Sequence, residues 1–421
     1  MNTEVTGRAR LRWSQLGPGI LYAGAAVGIS HLVQATRAGA NYYLAMTAAI
    51  IVACAIKYPA LRFGGEYAAA TGKSLIENYR DRGRVIFYSY ALAQILTMPF
   101  AVAAVTIATA GLLKATLGLG ISDLAVTAIL LGGCAVLLLS GKYRMLEMVT
   151  KAVVVLFTVL IVITIAVVIS RIHVTPADFL PAKFNAQSIA FVVALMGFMP
   201  SPMDACVIQS LWTRQKARLS ATPLTPAQSR LDFNIGFGIS VILALAFMLL
   251  GAAVMYGSGQ KFAQDPAGFA NQVISLFTAT IGSWAYPIIG VAAAAVMLST
   301  LMTLLDAYPR VIEALVLARW PERSGKLRGM PVYDVAVVGL IVAVLMVLAL
   351  FMSAFAAFID LAALIVFVTG PLYAWLNHSA MLGPDVPPYQ RPGRFMRSYS
   401  MAGIGAMVAL LVIYFSIRAG G

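Results

Sequence analysis

The sequence predicts an all-α polytopic membrane protein of eleven transmembrane helices, arranged as a 5+5 inverted repeat followed by one additional helix. The first observation behind this is composition: of 421 residues, 61% are hydrophobic and 11% charged, with a mean hydropathy of +0.87, far from the usage of soluble domains. The second is the recurrence of apolar runs of about 20 residues, the length needed to cross a bilayer. The third is that the first and sixth of these runs are both interrupted near their middles.

In chain order the runs cover 17–40, 44–68, 85–113, 122–140, 148–170, 187–211, 233–257, 280–306, 332–352, 355–377 and 398–417. Residues 1–16 form an N-terminal segment, 17–170 the first repeat, 187–377 the second, and 398–417 the eleventh helix. The first run is long and lacks an A-x-A-like cleavage site, so it reads as a retained span and not a signal peptide. The net charge of +14 has a topological origin. With the N-terminus inside, 24 Lys and Arg residues fall on the inner side and 6 on the outer, with Arg8, Arg10, Arg12 and the connections 57–84, 142–151, 214–230, 310–328 and 391–397 supplying the inner ones. The expected location is a bacterial-type inner membrane, with the N-terminus cytoplasmic and the C-terminus outside. The lipid bilayer and a small substrate are the expected partners, and nucleic acid is not. Cys54, Cys134 and Cys206 lie in apolar runs without metal-type spacing and read as small core residues.

The two interruptions carry the chemistry. In the first run Gly28, Ile29, Ser30 and His31 place a backbone loosener, a hydroxyl and an imidazole at membrane depth, where polar groups are costly unless they line a cavity or meet a partner. In the sixth, Met199-Pro200-Ser201-Pro202 removes two backbone donors and breaks the helix, and Asp204 follows at once. Equivalent segments separated by five spans have opposite orientation, the plan of inverted-repeat carriers with a midplane site.

Several stretches also resemble the Nramp family of metal ion transporters: Leu16-Gly17-Pro18-Gly19, Ala38-Gly39-Ala40, Glu66-Tyr67, Thr71-Gly72-Lys73-Ser74-Leu75 and Met199-Pro200. The resemblance implies the LeuT-like fold of the amino acid-polyamine-organocation superfamily, with helices one and six unwound at the substrate site. The family's D-P-G-N positions are Gly28, Ile29, Ser30 and His31 here, and its M-P-H positions are Met199, Pro200 and Ser201. Met199 alone carries over as a ligand, and the family's carboxylate is replaced.

The reading is therefore a secondary-active transporter moving a cation, a divalent transition metal among the options, with proton coupling and a non-standard site. Gly28, Ser30, His31, Met199, Ser201 and Asp204 are the substrate-site candidates, with His31, Met199 and Asp204 as metal ligands; imidazole and thioether suit softer metals. His31, Asp204, Asp306 and Asp360 are candidates for proton coupling or gating. Each has a plain structural alternative: a histidine bonded to a neighbouring helix, a core methionine, a carboxylate capping the second half of helix six, an Asp306–Arg310 ion pair, and an Asp360 bonded to a neighbouring hydroxyl. Gln209 and Thr97 are weaker candidates. Glu66 and Lys73 read as anchors of the cytoplasmic face, and Trp13, Tyr42, Tyr43, Trp212 and Tyr256 as interfacial aromatics. No bound cofactor is implied beyond a transported cation and proton. Transport of a small organic solute and a non-transporting receptor or scaffold of the same fold are the alternatives. An enzyme is not expected, since neither H-E-x-x-H nor G-x-S-x-G occurs.

Overall fold

The computed structural model describes residues 17–140, 158–172, 174–179, 185–219, 224–259, 262–323, 326–327, 329–351 and 354–420. Residues 1–16, Trp13 among them, and the first part of the fifth run lie outside that set. Among the described residues the regular elements are helical apart from one two-residue pairing, Lys326–Leu327 (β1) with Met330–Pro331 (β2), between the eighth and ninth runs.

The first run is split into α1 (Pro18–Ala26), a wide π-helical turn at Ser30–Ala35, and α2 (Thr36–Tyr42). Then come α3 (Thr47–Thr71), the short α4 (Leu75–Asp81), α5 (Arg84–Leu117), α6 (Asp123–Leu139) and α7 (Thr158–Val168). The sixth run is split into α8 (Ala186–Phe198) and α9 (Ala205–Leu219). The rest is α10 (Pro226–Val254), α11 (Pro266–Ile281), α12 (Tyr286–Arg319), α13 (Val332–Phe351), α14 (Phe355–Met381) and α15 (Arg394–Gly420). Among the described residues seven helices are long and apolar enough to cross a membrane unaided: α3, α5, α10, α12, α13, α14 and α15. The two split runs, α6 and α7 fill the other four predicted places.

Local chemistry explains the boundaries. Pro18, Pro226 and Pro266 open α1, α10 and α11, where a missing N–H costs nothing. Ser74 with Glu77 and Thr225 with Gln228 form capping boxes. Gly72 and Gly118 end α3 and α5 in the left-handed conformation. The helix α11 was not among the predicted spans; it packs against α5, and its first turn comes so near that a Cβ on Gly111 would lie 2.4 Å from the Pro266 carbonyl oxygen.

The first, second, sixth and seventh runs pack on one another: α10 against α1, α2 and α3, and α3 against α9. The α10 seams depend on small residues. A Cβ on Gly236 would lie 1.9 Å from the Gly19 carbonyl oxygen, and one on Gly39 1.8 Å from that of Met248. Such backbone-to-backbone approach is how helices associate where no water drives them together. Asp232 on α10 also accepts from the Gly17 and Gly19 amides at 3.1 and 2.6 Å, capping α1 across the chain. Helices one and seven are thereby joined at both ends.

One expectation needs correction. The basic connection drawn at 57–84 begins too early, because α3 continues to Thr71 and Lys57 lies within it, 1% exposed. Lys57 is a charge at helix depth and not part of the basic surface. Of the aromatics expected at the interfaces, Tyr43 stacks on Tyr256 with ring centres 4.8 Å apart.

Candidate functional site

The break in helix one is stitched by hydroxyls. The Thr300 Oγ1 on α12 donates toward the freed Val27 carbonyl at 3.1 Å, and a Cβ on Gly28 would come within 3.0 Å of the Thr300 methyl. Ser30 Oγ lies 2.6 Å from the Ala26 carbonyl oxygen and 2.7 Å from His31 Nδ1, while His31 Nε2 lies 2.8 Å from the Ser240 carbonyl oxygen. A neutral imidazole satisfies the arrangement: Nε2–H donates to the Ser240 carbonyl, and Nδ1 accepts from the Ser30 hydroxyl, which the Ala26 carbonyl shares. The plain alternative for His31, a bond to a neighbouring helix, is thus what the geometry shows.

In helix six Met199 adopts an extended backbone after α8 ends, and its side chain is wholly buried. Ser201 Oγ is 2.9 Å from the Tyr22 hydroxyl of α1, so the break of helix six meets the first half of helix one through side chains. Asp204 stands immediately before α9 and is 4% exposed. Its carboxylate accepts from Gln94 Nε2 at 3.3 Å and faces the Tyr308 hydroxyl. Gln94 Oε1 in turn accepts from Tyr373 at 3.0 Å and Tyr90 at 3.3 Å. The Ala205 amide donates to the Pro202 carbonyl, so Asp204 heads a polar network into α5 and α14 at the start of the second half of helix six. The Lys57 Nζ donates to the carbonyls of Gly197 at 2.9 Å and Ser201 at 3.1 Å.

A narrow cavity of about 30 Å³ lies between α1, the start of α9 and α12, lined by Tyr22, Ser201, Asp204, Trp212, Thr303 and Tyr308 among others. That is room for roughly two water molecules. Of the six substrate-site candidates it collects Ser201 and Asp204; Gly28, Ser30, His31 and Met199 do not line it. Trp212, expected at an interface, belongs to this wall. Among the described residues no three His, Cys, Asp or Glu side chains come together as a metal cluster. On the same side of the molecule as the basic connections a larger cavity of about 460 Å³ is lined by Arg80, Arg214, Arg218 and Arg310 with Glu77 and Glu313. Ala307 of the small cavity and Arg310 and Ala314 of the large one follow one face of α12, which puts the two cavities in line.

The other two gating candidates, Asp306 and Asp360, lie elsewhere. Asp306 pairs with Arg310 on α12 at 2.8 and 2.9 Å despite the intervening Pro309, and also accepts from the Tyr333 hydroxyl at 2.7 Å. Asp360 on α14 has a partner the sequence did not offer: Arg37 of α2 grips it with both terminal nitrogens, at 2.7 and 3.0 Å, with Gln34 adding a bond at 3.2 Å. The guanidinium sits 5.4 Å from the Phe191 ring centre. Glu66 is paired with Arg62 at 2.8 Å and Lys73 with Asp81 at 3.1 Å, in keeping with anchoring roles. Gln209 is buried with its Oε1 unpaired, and Thr97 bonds back to its own helix.

Sequence reasoning missed Lys57, Gln94, Tyr22, Tyr308 and Arg37. Lys57 had the clearest signal, since a charge within an apolar span is a site hypothesis by default. Gln94 and the tyrosines had none, because their partners lie on other helices.

The profile of the family described as natural resistance-associated macrophage protein-like (Nramp) matches residues 19–416. An uncharacterized protein of Pasteurella multocida (strain Pm70) is 31% identical over 415 residues, covering 97% of this chain and 93% of that protein. Among solved structures, the manganese transporter of Eremococcus coleocola superposes with a TM-score of 0.73 at 16% identity, covering 97% of this chain and 88% of its own. MhsT in complex with L-phenylalanine gives 0.63 at 13% identity, over 97% and 99%. Mhp1, a nucleobase-cation-symport-1 family transporter, gives 0.60 at 14% identity, over 96% and 92%. These likenesses establish the LeuT-like fold with helices one and six broken. The chain belongs to the natural resistance-associated macrophage protein-like (Nramp) family, whose members are membrane transporters and not enzymes.

Proposed function

We propose that the chain is a secondary-active carrier of a small cation, working by alternating access around Ser201 and Asp204, with its basic face in the cytoplasm of a bacterial-type cell. The observation that carries this reading is the cavity where both broken helices meet. Its polar wall is a buried carboxylate with the hydroxyls of Ser201, Tyr22, Thr303 and Tyr308, and oxygen donors with one negative charge suit a cation. At about 30 Å³ the space admits an ion with water and excludes an organic molecule in this state. The alignment with the basic cavity supports an inner exit path, and the Arg37–Asp360 grip supports a closed outer one. Gly28, Ser30 and Met199 act in this scheme through backbone and packing, and His31, held between Ser30 and the Ser240 carbonyl of α10, is its proton carrier.

The test is thermal stabilisation of the purified protein across alkali, ammonium and divalent cations. A cation that raises Tm in the native chain and does nothing for Asp204→Asn supports the proposal, and uptake of the same ion into proteoliposomes makes it a carrier. Met199→Ala should keep the response, since Met199 does not line the cavity. Stabilisation by an amine or organic acid with no response to any inorganic cation would refute it in favour of the organic-solute alternative, which the positive charge of Lys57 beside this site favours. A folded protein without flux for any cation would favour a receptor.

A further inference from the structure

The lysine in the middle of α3 has a geometry that anchoring or topology does not account for. Lys57 is 1% exposed, and taking an ammonium out of water costs several kcal/mol unless strong partners replace the water. Its partners are two backbone oxygens at the break of helix six: the Gly197 carbonyl in the last turn of α8, and the Ser201 carbonyl within the break. The last four carbonyls of a helix have no partner within it and carry its negative dipole end. A pair of converging carbonyls from an unwound helix is the kind of site at which carriers of this plan hold a coupling cation.

Close packing holds the surroundings of both carbonyls. A Cβ on Gly197 would lie 2.1 Å from the Ala363 carbonyl oxygen of α14, and one on Gly64, two turns along α3 from Lys57, would lie 2.0 Å from the Cys206 carbonyl oxygen of α9; Ser201 itself is tied through its hydroxyl to Tyr22 at 2.9 Å. The stem of Lys57 thus reaches a pair of acceptors in a closely packed setting, and Asp204 and Cys54 are the titratable groups near it.

We propose that the Lys57 ammonium is a resident, covalently tethered cation that fills a carbonyl site at the break of helix six, so that the protein holds this break together without a free monovalent ion. The inference builds on the carrier reading of the same region, but it concerns the occupancy of a backbone site and can be read without flux. It has a consequence for the substrate: beside Asp204 the fixed positive charge brings the local net charge to zero, a balance that suits a singly charged cation better than a divalent one.

The test removes the tethered cation and offers free ones. Purified Lys57→Ala is heated in ammonium, methylammonium or sodium chloride at constant ionic strength, with choline chloride as the ion too large to enter. The expected result is a saturable rise in Tm on the order of 2 °C in ammonium or methylammonium over choline for Lys57→Ala, and none for the native chain. Lys57→Met, which keeps the stem and so preserves packing, serves if Lys57→Ala does not fold; its stem fills the space, so it should be less stable than the native chain and unresponsive to methylammonium. Equal Tm in all salts for a folded Lys57→Ala overturns the proposal, and so does native-like stability of Lys57→Met. A native chain that responds to ammonium as strongly as the variant also overturns it, because the ion would then bind elsewhere. A loss of uptake with the Tm pattern intact would count against the carrier reading and leave the tethered cation standing.

Discussion

Cutting the Arg37–Asp360 grip should open the side of the molecule away from the basic cavity. The pair joins α2 to α14 by two charge-assisted bonds of 2.7 and 3.0 Å, with side-chain exposures of 11% and 37%. Buried bonds of this type are worth about 1.5–3 kcal/mol each, but Asp360 is more than a third exposed and solvent screens the pair. Discounted accordingly, the grip contributes about 1–2 kcal/mol, a shift of roughly 5–30-fold in the closed-to-open ratio. The neighbouring cavity of about 350 Å³ is lined by both residues and by the buried Ala194. An Ala194→Cys reporter has a quiet background, since Cys54, Cys134 and Cys206 are all buried. Its labelling by a membrane-impermeant thiol reagent should speed up about 5–30-fold in Arg37→Ala or Asp360→Ala, by the same conversion. The double variant should go no faster than either single one, as partners in one interaction are not additive. Arg37→Lys should fall between, because lysine cannot make the two-pronged contact. An unchanged rate in the single variants, or additive effects in the double, would refute the gate.

Further outcomes follow from other parts of the molecule. Gly236→Ala should lower Tm markedly, by about 1–3 kcal/mol of overpacking, because its Cβ would meet the Gly19 carbonyl oxygen at 1.9 Å; Gly238→Ala, with nothing within 4 Å, is the control that should stay near native. His31→Ala should flatten the pH dependence of uptake while leaving the protein folded, and a steep profile that survives the change removes His31 from proton transfer. At the C-terminal end of the short α4, burial pushes the Asp81 carboxyl up, but bonds from Arg80 and Lys73 outweigh it and hold it below the usual carboxylate range. Asp81 thus lends stability above its unfolded value, about 3.9, and loses it as pH falls through the lowered folded value. The Tm gap between the native chain and Asp81→Asn should be small at neutral pH, as both partners of the pair are largely solvated, and should close on strong acidification.

Periodicity and composition made the membrane class, the number of spans and the two breaks legible, because hydrocarbon demands long apolar helices and two prolines in one span can only interrupt it. The local Asp306–Arg310 pair was legible for a similar reason: both ends lie on one helix, four residues apart. What the sequence could not give was any pairing set by helix packing. Arg37 meets Asp360 across 323 residues and Lys57 meets Gly197 across 140, distances over which spacing carries no information. Glycine contacts at Gly39, Gly197 and Gly236 fix how closely the helices approach, and that closeness decides which buried groups touch. So the sequence determined a membrane transporter with two broken helices, while tertiary packing turned His31 toward α10, gave Asp204 its network, and brought the Lys57 ammonium onto the carbonyls of the helix-six break.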